Sequence, residues 1–120
     1  MPAYNFQARF VEAILDGSKR QTIRKRRKRA TKSGDVLQLY TGMRTKQCRL
    51  LKVVDCTRVE PIRIYPAMHY VFLIGQRLQF DFMQQFAKAD GFKNVYEFLE
   101  FFERYADDVL ENELEVIYWR

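Results

Sequence analysis

Gly17-Ser18-Lys19-Arg20-Gln21-Thr22-Ile23-Arg24 is the stretch at which the chain changes its period. Before it, Phe10, Val11, Ile14 and Leu15 recur at three- and four-residue spacing, the apolar stripe of a short helix. Gly17 stands where such a helix ends in a left-handed residue, a conformation open to glycine without steric penalty. Gln21 to Arg24 then reads as a strand, with Ile23 on one face and Thr22 and Arg24 on the other. If Ile23 faces a core, Thr22 and Arg24 face a cleft or solvent. Upstream, Tyr4 to Gln7 alternates aromatic and polar side chains, which predicts a first short strand.

Downstream, the cationic run Arg24-Lys25-Arg26-Arg27-Lys28-Arg29 cannot enter a packed interior and predicts a loop or a fraying strand end. Ser33-Gly34-Asp35 is a turn signal, and Val36 to Tyr40 follows as a strand. Thr41-Gly42-Met43 turns the chain into Gln47 to Arg58, read as a long, mostly buried strand. Pro61 to Tyr65 and Tyr70 to Ile74 continue as extended segments. After Gly75 the period becomes helical. Phe82, Met83, Phe86 and Ala87 mark a helix that ends near Gly91. Asn94 to Glu97 has the spacing of a capping box, and Val95, Phe98, Leu99 and Phe102 give the next stripe. Phe82, Phe86, Phe98 and Phe102 are all expected in the core. Leu114 to Trp119 closes the chain as a strand. The expectation is one α+β domain over residues 1–120, a small closed or half-closed sheet with helices packed on it.

Nine of the 21 lysines and arginines fall between Lys19 and Lys32, while nine of the 15 acids lie from Asp90 onward. The net charge is +6, and its bipolar distribution would draw a polyanion to one end and orient it. Cys48 and Cys56 are eight residues apart, too far for a disulfide within one strand, so both are expected as free thiols. With His69 the only histidine and no CxxC pair, no metal site and no cofactor are expected, and Ser-His-Asp or Cys-His catalysis has no support. Apolar runs are short of the roughly 20 residues a spanning helix needs. The start Met1-Pro2-Ala3-Tyr4-Asn5 carries no secretory pattern, so no membrane partner and a cytoplasmic location are expected. Oligomeric state has no signature.

The run from Gly17 to Arg24 resembles the G-x-K-x-x-T-x-R signature of ASCH domains. Gly34-Asp35-Val36-Leu37 is similar to that family's turn into a strand. Ala89-Asp90-Gly91-Phe92, Tyr96-Glu97-Phe98-Leu99, Phe101-Phe102 and Ile117-Tyr118-Trp119 resemble the helical region and last strand of bacterial and prophage members. The resemblance implies a PUA-like β-barrel with short helices packed on it, and an association with RNA. One branch of the superfamily hydrolyses N(4)-acetylcytidine with a Lys, a Thr and a Glu. On that pattern Lys19 and Thr22 match the first two. Asp90 stands for the Glu, one methylene shorter.

A threonine hydroxyl needs a base, and a lysine serves as one only when neutral. Burial and neighbouring cations both lower a lysine's pKa, and Arg20 and Arg24 are close in sequence to Lys19. A buried Asp90 could protonate a leaving amine. The expected function is a nucleic-acid-binding module, for RNA, whose cleft holds Lys19, Thr22 and Arg24 and whose lip is Arg20, Arg24, Lys25, Arg26, Arg27, Lys28 and Arg29. Such cations position a strand without reading its bases. Tyr40, Tyr65, Tyr70 or Trp119 would be the stacking candidates, although aromatics at strand spacing more often pack inward. The alternatives are an amidohydrolase acting on N(4)-acetylcytidine or a related small amide, with Lys19, Thr22 and Asp90 catalytic, and a DNA-binding phage accessory protein.

Overall fold

The computed structural model describes residues 1–104 and 114–120. The described chain is mixed α+β. The strands are β1 (Ala3–Phe6), β2 (Gln21–Lys25), β3 (Val36–Thr41), β4 (Arg49–Tyr65), β5 (Tyr70–Leu73), β6 (Gln76–Arg77) and β7 (Leu114–Trp119). The helices are α1 (Val11–Asp16), α2 (Phe80–Ala89) and α3 (Val95–Glu103), with single 3-10 turns at Ala8–Phe10 and Pro66–Met68. No helix among the described residues is long and apolar enough to cross a membrane.

The two extended segments expected on either side of residues 59–60 are one strand. β4 runs unbroken through Pro61, and a register shift between Cys56 and Arg58 bends it. Its first half pairs with β3, and its second half pairs with β5 and β7. β1 lies parallel to β3, and β2 is antiparallel to β7. The sequence of pairings β1-β3-β4-β7-β2 therefore carries the sheet from one free edge to another. β1 and β2 do not pair, and the strands do not close into a barrel. Side chains occupy the seam instead. Arg24 Nη2 donates to the Asn5 carbonyl at 2.6 Å, and Arg27 donates to the Ala3 carbonyl. Two guanidinium groups thus take β1 carbonyls that a neighbouring strand would otherwise satisfy.

The core lies between the curved sheet and the helices. Val95, Phe98, Leu99 and Phe102 are all buried, as the stripe requires. Phe92 joins them, with ring centroids 5.5 Å from Phe98 and 5.4 Å from Phe10. Asn94 caps α3 by accepting from the Glu97 amide at 2.9 Å. The reciprocal bond runs one residue further back, from the Lys93 amide to Glu97 Oε1.

Three expectations are corrected. Phe82 is 62% exposed, because α2 turns Met83 and Ala87 inward and leaves Phe82 on its outer side. The first half of β4 is not mostly buried. Leu50 and Val53 face solvent, Cys48 lies before the strand and is exposed, and Cys56 is buried. β5 stops at Leu73, since Ile74 takes a positive φ in the turn to Gly75. These placements predict a sharp contrast in urea unfolding. Phe98→Ala should cost about 3–5 kcal/mol, whereas Phe82→Ala should stay within about 0.5 kcal/mol.

Candidate functional site

A cavity of about 360 Å³ lies at the open seam, bounded by β1, β2 and the chain leaving α2. Lys19, Thr22, Ile23, Arg24, Lys25 and Asp90 all line it. The two-residue alternation is not kept here. Gln21, Thr22 and Ile23 are each buried, and Thr22 and Ile23, neighbours of opposite parity, both line the cavity.

Lys19 reaches the cavity because the turn after α1 is tightly wound. Gly17 takes φ +86°, the Ser18 amide donates to Asp16 Oδ1, and the Lys19 amide donates to the Ala13 carbonyl at 3.0 Å. The side chain is then only 3% exposed. Its Nζ donates to the Asp90 carbonyl, stands 3.5 Å from Asp90 Oδ1, and lies 4.9 Å from the centre of the Phe10 ring. Carbonyl, carboxylate and ring face together replace the ammonium's lost water.

Asp90 comes from the opposite side, at the C-cap of α2, where its amide donates to the Phe86 carbonyl. Gly91 makes the approach possible. Its φ is +98°, and a Cβ there would sit 2.9 Å from Phe10 Cδ1 and 3.1 Å from Lys19 Cδ. Gln21 Nε2 donates to Asp90 Oδ1 at 3.3 Å, so that oxygen faces both Gln21 and Lys19. Oδ2 takes no hydrogen bond from a described residue, yet no buried side-chain oxygen among them lacks a partner. Asp90 lines the cavity, and its Oδ1 is the oxygen held by Gln21 and Lys19.

Thr22 Oγ1 accepts from Arg24 Nε at 3.1 Å. Lys19 makes no hydrogen bond to Thr22; its ammonium is turned to Asp90 instead. Arg24 is held over the Phe6 ring at 4.8 Å while it bridges to Asn5.

Burial pulls the Lys19 pKa down, the Asp90 charge works against that, and Arg24 adds to it. Burial pushes Asp90 up, with Lys19, Gln21 and Arg24 opposing. Burial also lowers Arg24. Both members of the Lys19–Asp90 pair are thus displaced toward their neutral forms, which brings a base and an acid into one cavity.

The remaining sequence candidates divide. Arg20 is exposed, donates to the Gly17 carbonyl and stands outside the cavity, so Arg24 and not Arg20 is the cation that bears on Lys19. Lys25 lines the rim. Arg26 lies 3.5 Å from Glu115, and Arg27 covers the Tyr4 ring at 4.0 Å. Lys28 and Arg29 are exposed. None of the four stacking candidates lines the cavity. Trp119 is in the core, and Tyr65 and Tyr70 pack edge-on against Phe72. Phe6, Phe10, Phe92 and Phe101 supply the aromatic wall instead. Gln21 and Gly91 were not singled out from sequence. A signal for Gln21 existed, since alternation places it on the same face as Ile23, and a glutamine on a core face requires a partner.

No family model matches the chain, and searches of the curated proteins and of the solved structures likewise find no match.

The buried pair supports a double-mutant test with a pH signature. Lys19→Met leaves Asp90 buried without its cation and should cost about 3–5 kcal/mol, while Lys19→Met with Asp90→Leu should recover much of that loss. In the single variant the carboxyl is pushed further up. The folded state then binds more protons than the unfolded state, so stability must fall as pH rises above the usual carboxylate range. Thermal unfolding from acid to neutral pH reads the sign. A loss that grows toward acid would contradict the assignment.

Proposed function

We propose that the protein binds single-stranded RNA by drawing one unstacked nucleoside into the cavity at the β1–β2 seam, in a PUA-like fold whose barrel is left open there. One observation carries this reading: buried polar groups of Lys19, Thr22 and Asp90 and the half-buried Arg24 line a cavity whose rim continues into the exposed cations from Lys25 to Arg29. About 360 Å³ falls within the roughly 300–1,000 Å³ of small-ligand sites. An aromatic wall with a few placed polar groups suits a splayed-out base, and the adjacent cations suit its phosphates. The same charge would hold single-stranded DNA, and competition between matched RNA and DNA strands separates the two.

Arg26 and Arg27 are already engaged with the fold, so Lys28 and Arg29 carry the sharper test. Replacing both with Ala should flatten the slope of log K against log salt by roughly 1.4, at about 0.7 per phosphate on a single strand. Fluorescence anisotropy over a salt series measures it. An unchanged slope would make the loop a solvated surface.

A second reading, amide hydrolysis, is favoured by the placement of Lys19, Thr22 and Asp90 on one cavity although Asp90 is 71 residues from Lys19 in sequence. Neutral Lys19 would take a proton from the attacking oxygen. That oxygen would bond to the acyl carbon, the C–N bond would break, and the proton on Asp90 would pass to the leaving nitrogen. With N(4)-acetylcytidine and water as the attacking oxygen the products are cytidine and acetate; with Thr22 attacking, cytidine leaves first and a water must then cleave the acetyl-threonine ester to release acetate and restore the hydroxyl. Chromatography should show cytidine from the unmodified protein and at least roughly hundredfold less from Lys19→Ala and Asp90→Asn, in line with the loss of an acid–base group. Activity that survives Thr22→Ala identifies water as the nucleophile. No cytidine from the unmodified protein, across a panel of acylated nucleosides, leaves binding alone.

A further inference from the structure

The cavity wall formed by Asn5, Phe6 and Gln7 has a second side. Across it lies a broad, shallow depression of about 620 Å³, closed by Arg9 on one flank and by Thr41, Gly42 and Gln47 on the other. The two hollows share Asn5, Phe6 and Gln7, so only the end of β1 separates them.

This second hollow is built, not incidental. The turn between β3 and β4 is stapled to the end of β1 by two hydrogen bonds. The Met43 amide donates to Asn5 Oδ1 at 2.9 Å, and Thr41 Oγ1 donates to the Phe6 carbonyl at 2.7 Å. Inside the turn, Thr45 Oγ1 donates to the Gly42 carbonyl and accepts from the Gln47 amide. Gly42 has φ +65°, and a Cβ there would lie 2.8 Å from the Gln47 carbonyl oxygen, so the turn closes this tightly only on glycine. Gln47 is thereby fixed opposite Gln7.

Its chemistry differs from that of the deep cavity. The one cation on its wall, Arg9, is already paired with Glu97, so the hollow carries no free positive charge for a phosphate. It offers the carboxamides of Gln7 and Gln47, which carry donors and acceptors together and match the mixed edge of a base, while Asn5 Oδ1 is taken by the Met43 amide. Arg44, Lys46 and Arg49 are exposed on the same β3–β4 hairpin that supplies Thr41, Gly42 and Gln47 to this wall. The deep cavity likewise runs into the exposed Lys25, so each hollow is adjoined in sequence by its own group of cations.

We infer that the shallow hollow seats the base of the nucleotide next to the one in the deep cavity, so that the protein reads two consecutive residues of a single strand. The inference rests on the nucleoside reading of the deep cavity and narrows its ligand from a free nucleoside to part of a polynucleotide.

Isothermal titration with each nucleoside 5′-monophosphate, and with dinucleotides that extend it on either side, tests this on the full chain. Some dinucleotide should bind at least roughly tenfold tighter than its better mononucleotide, the worth of one added base contact set. In Gln47→Ala, which alters the shallow hollow and no residue of the deep cavity's lining, that gain should fall at least about threefold while mononucleotide affinity stays within about twofold, because an exposed substitution of this kind leaves the fold intact. Circular dichroism confirms the folding of the variant. Equal affinity for mononucleotides and all dinucleotides overturns the second subsite and leaves the deep cavity's role standing. A dinucleotide gain that survives Gln47→Ala undiminished overturns it as well. Absence of binding by every mononucleotide and every dinucleotide overturns both readings.

Discussion

Burial of the Lys19 ammonium is the constraint around which this molecule is arranged. An ion of that size taken out of water costs several kcal/mol unless its hydrogens and charge are met. The carbonyl of Asp90, its carboxylate and the Phe10 ring meet them, and each comes from a different part of the chain. The turn after Gly17 must wind Lys19 inward, and α2 must end with Asp90 pointing back. Gly91 must then leave room that no side chain could spare. A change in any of these leaves a buried charge without its partner. The pair therefore binds α1, β2 and α2 into one geometry, and that geometry is the cavity.

The second constraint is the unpaired seam. A small sheet that curls on itself can close, and closure removes exposed edges. Here β1 and β2 face each other without a ladder, and Arg24 and Arg27 satisfy β1 carbonyls from the side. The arginines hold the seam at a fixed width without filling it, which leaves space between the strands for Lys19, Thr22 and Asp90 to share. Two of the cations in the basic run have structural work at this seam. The run is for that reason neither a plain solvated loop nor a plain phosphate lip.

Much of this was legible in sequence wherever one period ran long enough. The α3 stripe and its Asn94 cap are as read, and the turn at Gly17 winds Lys19 inward, although its ammonium meets Asp90 and makes no hydrogen bond to Thr22, the contact a lysine base for that hydroxyl would need. Errors cluster where periodicity is short or a residue is covered from both sides. In the first turn of α2, Phe82 and Met83 are adjacent in a short pattern, and the direction of the buried face is set by packing on α3 and not by spacing. Along β4, Leu50 and Val53 look buried by composition, yet no layer covers that face. On β2, burial of both faces erased the alternation on which the cleft assignment rested, although Thr22 and Arg24 do line it. The partnership of Lys19 with Asp90 depends on a contact between residues 71 apart, which no local pattern carries and only the family resemblance hinted at.

Gln21 shows how the same burial sets direction in the site. Its amide and the Lys19 ammonium both face Asp90 Oδ1, so the carboxyl cannot rotate without breaking two contacts. Thr22, on the same cavity, has its hydroxyl oxygen occupied by Arg24. Each polar group is thus fixed by another before a ligand arrives, and little ordering remains to be done on binding. That preorganisation is common to the binding and the hydrolytic readings. What divides them is the proton between Lys19 and Asp90. Held as an ion pair it makes a charged recognition surface, and moved to the carboxyl it makes a base and an acid. Burial brings these two states closer in energy than water would, because it penalises the charged form of both partners. A ligand that excludes the remaining solvent from the cavity would act in the same direction, because it too penalises the charged form of both partners.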